Sequence, residues 1–178
     1  SGIGRCTAHE LTSLGARVAL IGRTAEKLEH VKAELGTGKA STHVCDIRDE
    51  ALVKATVADI LAVHGRIDGL VNNAGGQFPA PLSAISMNGW EAVVRNNLTG
   101  GFLMARECFN QAMQAQGGAI VNIIADMWNG MPGMGHSGAA RAGMLNFTET
   151  AACEWASSGV RVNAVAPGYI ATSGFDTY

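Results

Sequence analysis

Two glycines with one residue between them, Gly2 and Gly4, stand near the start of the chain, and a short apolar run ends about 20 residues after them. Glycines let a backbone approach a pyrophosphate closely, and the N-terminus of a helix offers the same group a positive dipole. The spacing matches the last part of a dinucleotide-binding turn, with Gly2, Ile3 and Gly4 as candidate contacts. Ordinary tight turns use the same spacing, so this motif alone leaves both interpretations open.

A second candidate is Arg23, which follows the apolar run 18–21 and Gly22. An acidic residue at the end of this strand would hold the ribose hydroxyls of NAD(H), whereas an arginine can pair with a 2′-phosphate. The alternative is a solvated arginine in a loop. We favour the phosphate role, and therefore NADP(H) as the cofactor, with NAD(H) as the alternative.

Short apolar runs alternate with longer amphipathic stretches along the chain. The runs predict strands over 18–21, 42–45, 68–71, 119–124 and 160–165. The stretches predict helices over 25–35, 49–65, 90–116 and 138–156, with a break near Asn97 in the third. Strands that alternate with helices are parallel, and their crossover helices cover both faces of the sheet. The pattern therefore predicts an α/β fold with a doubly wound parallel sheet.

Distinctive motifs follow the predicted strands, where ligands bind in such sheets. Asp46 and Ile47 follow one strand, the run Asn-Asn-Ala-Gly-Gly over 72–76 follows the next, and Val-Asn-Ala-Val-Ala-Pro-Gly occupies 162–168. Together with Ser-Gly-Ile-Gly at 1–4, this order resembles the short-chain dehydrogenase/reductase family over essentially the whole chain.

The resemblance implies a Rossmann-type fold, a nicotinamide cofactor and a homodimer or homotetramer. It also implies that the first strand and a C-terminal substrate region lie outside this fragment. The family residues near the adenosine and along the sheet correspond here to Asp46, Ile47, Asn72, Asn73, Ala74 and Gly75. The family's active-site asparagine corresponds to Asn97. The residues that touch the nicotinamide correspond to Pro167, Gly168, Ile170 and Thr172.

The chain departs from the family pattern at the catalytic pair, a tyrosine followed four residues later by a lysine. The tyrosines here are Tyr169 and Tyr178, and every lysine precedes residue 55. Ser137 and Arg141 stand at the two aligned positions. The string His-Ser-Gly-Ala-Ala-Arg over 136–141 resembles the trans-2-enoyl-CoA reductase branch, and the neighbouring 2,4-dienoyl-CoA reductases also lack the tyrosine.

The replaced pair favours one kind of chemistry. Oxidation of an alcohol needs a base with a pKa near 7, and a serine beside an always-charged arginine is a poor base. Reduction of an activated double bond needs donors that hold a developing enolate, and Ser137 and Arg141 share one helix face. The α-proton would come from His136, Asp126 or water. We therefore expect an NADPH-dependent 2-enoyl-CoA reductase.

Two alternatives stay open. One is a dehydrogenase of a prenyl-like alcohol such as citronellol, with His136 as its base, and the other is a cofactor-binding scaffold without catalysis. The run of Met127, Trp128, Met131 and Met134 would line an apolar acyl pocket or form a subunit contact.

Length and composition limit the other function classes. A chain of 178 residues predicts a single domain over 1–178. A net charge of −2 with no basic run argues against nucleic acid and membrane surfaces as partners, and no apolar stretch reaches a membrane span of about 18 residues. The four widely spaced cysteines predict reduced, buried thiols. We expect a cytoplasmic protein, and a peroxisomal location stays open because such a signal would lie beyond Tyr178.

Overall fold

The computed structural model describes residues 2–171. Strands and helices alternate along this part of the chain, as the sequence predicts. The elements are α1 Gly2–Ser13, β1 Val18–Gly22, α2 Ala25–Leu35, β2 Ala40–Val44, α3 Glu50–His64, β3 Gly69–Asn72, α4 Met87–Val94, α5 Gly100–Cys108, α6 Gln114–Gln116, β4 Gly118–Ile123, α7 Gly135–Trp155 and β5 Val160–Val165.

All the strand pairs formed by residues 2–171 are parallel, which confirms the predicted α/β class. One ladder joins β1 to β2, with Leu20 opposite Thr42. The other joins β3, β4 and β5 in that order, with Ile120 between Leu70 and Val162. Within the described residues the two ladders are separate, so β1 and β3 each carry an edge without a strand partner.

Helix α3 shows how the sequence sets the element boundaries. It begins after Asp49, whose carboxylate accepts a hydrogen bond of 3.0 Å from the backbone N–H of Leu52. It ends at Gly65, where a φ of 77° suits glycine. Val53 and Val57 on its inner face are fully buried in the main core, and the helix predicted over 49–65 is confirmed.

The long helical stretch before β4 starts earlier than predicted and is not uniform. It begins at Met87, because the Ser86 hydroxyl accepts a hydrogen bond from the backbone N–H of Gly89. Two π-helical turns, Arg95–Thr99 and Phe109–Met113, link α4, α5 and α6. The predicted break near Asn97 is therefore a wide turn rather than an interruption.

A cluster of polar side chains fastens α3 to the edge strand β2. The Ser41 hydroxyl lies 2.7 Å from Nε2 of His43 and 2.7 Å from Nε2 of His64. Nδ1 of His43 lies 2.7 Å from a carboxylate oxygen of Asp59. Burial lowers the pKa of His64, and the positive charges of Arg17 and His43 lower it further.

Two of the remaining expectations concern the whole chain. No helix in residues 2–171 combines the length and the apolar character needed to cross a bilayer. The four cysteines are free, but only Cys45 and Cys108 are buried. Cys6 and Cys153 are exposed, so the expectation of four buried thiols is wrong for those two, which lie on outer faces of helices α1 and α7.

Candidate active site

The N-terminus of α1 lies against the loop that follows β3. Gly2 has a φ of 56°, a conformation that side chains rarely adopt. A β-carbon on Gly4 would come within 2.6 Å of the Asn73 side-chain nitrogen, so only glycine permits this approach. The first turn of α1 and the Asn73 side chain thus lie side by side, and this cradle, with the free N–H groups of the helix N-terminus, suits a pyrophosphate.

Asn97 holds the loop after β3 with both ends of its side-chain amide. Its Oδ1 accepts a hydrogen bond of 2.9 Å from the Gly76 N–H, and its Nδ2 donates one of 2.7 Å to the Gly76 carbonyl. Asn97 lies in the first π-helical turn and is 2% exposed. Its side chain therefore fixes the position of Gly75 and Gly76, while Ala74 in the same loop is exposed.

Arg141 is a buried cation near the centre of this arrangement. Its Nη1 donates a hydrogen bond of 2.6 Å to the Ile123 carbonyl at the end of β4. Burial lowers the pKa of the guanidinium from its usual 12.5, yet arginine stays charged in proteins. Within residues 2–171 no carboxylate pairs with it. A buried charge without a counter-ion is costly unless a ligand compensates it.

His136 and Ser137 lie in the first turn of α7, close to Arg141 in sequence, and both are almost completely buried. The N–H of Ser137 donates a hydrogen bond of 3.0 Å to Nδ1 of His136. Nε2 of His136 has no hydrogen-bond partner among the described residues, and leaving such a group unpaired costs about 1–3 kcal/mol. Helix α7 begins at Gly135, before the predicted start, so His136 is a helix residue and not a loop histidine.

Asp126 stands apart from these residues. It is exposed in the loop between β4 and α7, and its backbone N–H donates a hydrogen bond of 3.2 Å to the Pro167 carbonyl. That bond joins the loop to the segment after β5, in which Gly168 and Ile170 are exposed. Thr172 lies outside the described residues.

The predicted adenosine side contains a residue that the sequence analysis missed. Arg48 binds the Asp46 carboxylate through two of its three guanidinium nitrogens, at 2.8 Å from Nε and 2.5 Å from Nη2. The pKa of Asp46 is lowered to about 2, chiefly by hydrogen bonds from Arg48 and to a smaller extent by the charge of the exposed Arg23. Ile47 packs against Gly100, where a β-carbon would come within 2.5 Å. The two-residue spacing between Asp46 and Arg48 is the sequence feature that could have predicted this ion pair.

Apolar side chains from two loops lie beside the first turn of α7, where Phe78 contacts His136, Leu82 approaches Gly135 and Met131 approaches Gly138. Trp128 is 63% exposed, and Met127, Met131 and Met134 beside it are half-buried. Phe78 and Leu82 come from the loop after β3, and sequence reasoning had not assigned them to the site. The Ala80 N–H donates a hydrogen bond of 2.8 Å to the Gly133 carbonyl, so the two loops are joined.

The sequence and the fold of the chain are similar to those of known proteins. The family pattern named short chain dehydrogenase matches residues 1–177. The chain belongs to the short-chain dehydrogenase/reductase family. It is therefore an oxidoreductase with a Rossmann-type fold, and its cradle suits the NAD(P) cofactor of that family.

Among similar proteins, a probable 2,4-dienoyl-CoA reductase of Bacillus subtilis is 37% identical over 98% of this chain and 70% of its own length. A peroxisomal 2,4-dienoyl-CoA reductase of Danio rerio is 35% identical over 100% of this chain and 60% of its own length. A citronellol catabolism dehydrogenase of Pseudomonas aeruginosa is 65% identical, with a TM-score of 0.93 over 96% of this chain and 71% of that chain. An actinorhodin polyketide ketoreductase solved with NADPH is 31% identical, with a TM-score of 0.94 over 99% of this chain and 70% of that chain.

Proposed function

We propose that the chain catalyses the NADPH-dependent reduction of the double bond of 2-enoyl-CoA thioesters. The observation that carries this proposal is the buried guanidinium of Arg141, which has no carboxylate partner among the described residues. Such a cation suits an oxygen that becomes negative during the reaction better than one that stays neutral. The similarity to two 2,4-dienoyl-CoA reductases supports the same thioester class.

In the proposed reaction the cofactor would supply the hydride, and side chains of this protein would supply the hydrogen bonds and position the loop after β3. A nicotinamide cofactor held by the first turn of α1 and the 73–76 loop would supply the hydride for the β-carbon of the enoyl group. The double-bond electrons would then move onto the thioester oxygen. Arg141 and the Ser137 hydroxyl donate hydrogen bonds to this oxygen and stabilise the enolate. The α-carbon then takes a proton from His136, from Asp126 or from water, which restores the thioester. Asn97 keeps the 75–76 peptide in place beside Arg141.

A second candidate function rests on one comparison. The citronellol catabolism dehydrogenase is 65% identical to this chain, which favours a dehydrogenase of a terpenoid alcohol or aldehyde. Oxidation of an alcohol would need a base, and His136 is the candidate for that role. The apolar side chains of Phe78, Trp128 and Met131 suit a prenyl chain as well as an acyl chain.

The proposed cofactor is NADPH rather than NADH. Arg23 is exposed directly after β1, and its charge acts on Asp46, so it lies near the predicted adenosine side. A guanidinium binds a 2′-phosphate through charged hydrogen bonds and gains nothing comparable from a ribose hydroxyl.

We further propose a homodimer or homotetramer, because Phe102 on α5 is partly exposed and packs edge-on against Phe147 of α7. Four free cysteines favour the reducing cytoplasm as the location.

A substrate panel on the intact protein tests these proposals. NADPH oxidation with crotonyl-CoA, and with longer 2-enoyl-CoA thioesters, is the expected result. NADP+ reduction with citronellol, without turnover of crotonyl-CoA, would select the alcohol dehydrogenase instead. Tight NADPH binding with neither reaction would leave a non-catalytic cofactor-binding scaffold.

A further inference from the structure

The hydrogen-bond pattern of His136 fixes which ring nitrogen carries the hydrogen. Nδ1 accepts the Ser137 N–H, so it carries no hydrogen of its own in this arrangement. In a neutral imidazole the hydrogen therefore lies on Nε2. Nε2 is buried without a hydrogen-bond partner in residues 2–171. The site thus contains an N–H donor that the described chain leaves unpaired.

Phe78 covers this histidine. The two ring centroids lie 4.5 Å apart at an interplanar angle of 85°, and the imidazole is 0% exposed. On its other side the Phe78 ring meets α4, where a β-carbon on Gly89 would come within 2.8 Å of Cζ. Phe78 itself is 39% exposed and belongs to a loop without regular structure. A ligand that enters from solvent therefore meets Phe78 before it meets His136.

The chemistry of the covered atom limits the ligand. An edge-to-face aromatic contact is a weak substitute for a hydrogen bond to a buried N–H group. A ligand displaces Phe78 favourably if it brings a hydrogen-bond acceptor for Nε2 and a flat apolar surface to replace the phenyl ring. A carbonyl conjugated to a carbon–carbon double bond has both properties. An alcohol that must lose its proton does not suit this atom, because a nitrogen that already carries a hydrogen is no base.

We propose that Phe78 is a specificity-determining residue, which covers the Nε2–H donor of His136 and gives way to the conjugated acyl group of the substrate. This inference rests on the proposed enoyl thioester reduction. His136 then donates a hydrogen bond through Nε2 to the thioester carbonyl, alongside Arg141. In this role His136 acts as a hydrogen-bond donor and not as the base of an alcohol dehydrogenase.

The first test observes the donor directly. In the intact protein labelled with 15N-histidine, we expect a His136 Nε2–H resonance that exchanges slowly with water. Phe78→Ala should speed this exchange at least tenfold. Val63→Ala is the control, because Val63 is 55% exposed on α3, and it should leave the exchange unchanged. Butyryl-CoA added with NADP+, the product pair, should move the resonance downfield in the wild type.

The second test uses the two amide substitutes for histidine. Glutamine can place its amide near Nε2, whereas asparagine reaches only the position of Nδ1. His136→Asn should therefore lower kcat for crotonyl-CoA by about 100-fold, the loss typical of one removed donor, and His136→Gln should lose much less. Both variants should bind NADPH with wild-type affinity.

Three results would overturn the inference: an Nε2 without hydrogen, an exchange rate that Phe78→Ala does not change, or equal losses in the Asn and Gln variants. Failure of the wild type to reduce any 2-enoyl-CoA would instead refute the proposed function. The exchange experiment would still decide whether Phe78 covers the donor.

Discussion

A β-carbon on Gly75 would lie 2.3 Å from Nη2 of Arg141, so the backbone of the loop after β3 and the guanidinium of α7 are in direct contact. The contact holds the cation from one side, and the Ile123 carbonyl holds it from another. The position of the charge therefore depends on the absence of a side chain at residue 75.

We expect Gly75→Ala to displace this guanidinium. Overpacking of a well-packed region costs about 1–3 kcal/mol, and the free energy of unfolding in urea should fall by that amount. Turnover should fall further, since Arg141 moves from its place. Gly69→Ala is the control, because its β-carbon would make only an ordinary contact of 3.6 Å. A Gly75→Ala protein as active and as stable as the Gly69→Ala protein would contradict the contact.

Ser137→Ala should lower kcat for crotonyl-CoA by about 100- to 1000-fold, the range for one lost oxyanion donor. The hydroxyl acts on the developing enolate and not on the cofactor, so NADPH affinity measured by fluorescence titration should stay within twofold of the wild type. Full activity in this variant would remove Ser137 from the proposed mechanism.

Arg141→Lys preserves the charge but replaces a planar group that carries several donors with a single ammonium. We expect a large loss of kcat, because a lysine cannot bind the Ile123 carbonyl and a substrate oxygen in the same geometry. Steady-state kinetics, with circular dichroism to verify the fold, tests this expectation. Wild-type kcat in Arg141→Lys would show that charge alone suffices.

Arg23→Asp should weaken NADPH binding by about 1.5–3 kcal/mol, the range for a charged hydrogen bond, and NADH binding far less. Lys39→Asp introduces the same change of charge at the amino end of β2, away from the predicted cofactor edge, and serves as the control. Titration calorimetry with both cofactors measures the effect. Equal losses of affinity for NADPH and NADH would contradict a 2′-phosphate role for Arg23.

The stability of the fold should depend on pH through His64. Its folded-state pKa lies below the ordinary value of 6.5, so the unfolded chain binds more protons than the folded one in this range. The stabilisation is complete above about pH 6.5 and is lost as the pH falls toward the lowered value. His64→Gln should flatten the change in the free energy of unfolding between pH 7.5 and about 5.5. Leu14→Gln, at an exposed position without a titratable group, should keep the wild-type slope, and equal slopes in all three proteins would refute the assignment.

Local patterns in the sequence predicted much of the fold but little of the contact geometry. Helix α2 matches its predicted bounds, because its apolar spacing and flanking residues are all local. The starts of α4 and α7 were missed, since Gly89 and Gly135 suggest loops when read one residue at a time. The hydrogen bonds between Asn97 and Gly76 join segments that are 21 residues apart, so no local pattern reveals them. The pairing of Arg48 with Asp46 is local, but it depends on the conformation of the loop after β2. The roles of the site residues therefore stay predictions until the variants are measured.

The two π-helical turns also constrain how this chain can change in length. A π turn contains one residue more than the α turn that it replaces, so everything after it is rotated about the helix axis. Removal of one residue from Arg95–Thr99 would make the backbone hydrogen bonds regular again and would turn Asn97 away from Gly76. A deletion here would thus improve the helix and destroy the site, whereas a substitution could spare both. Insertions and deletions in this segment should be tolerated far less well than its place in the middle of a long helix suggests.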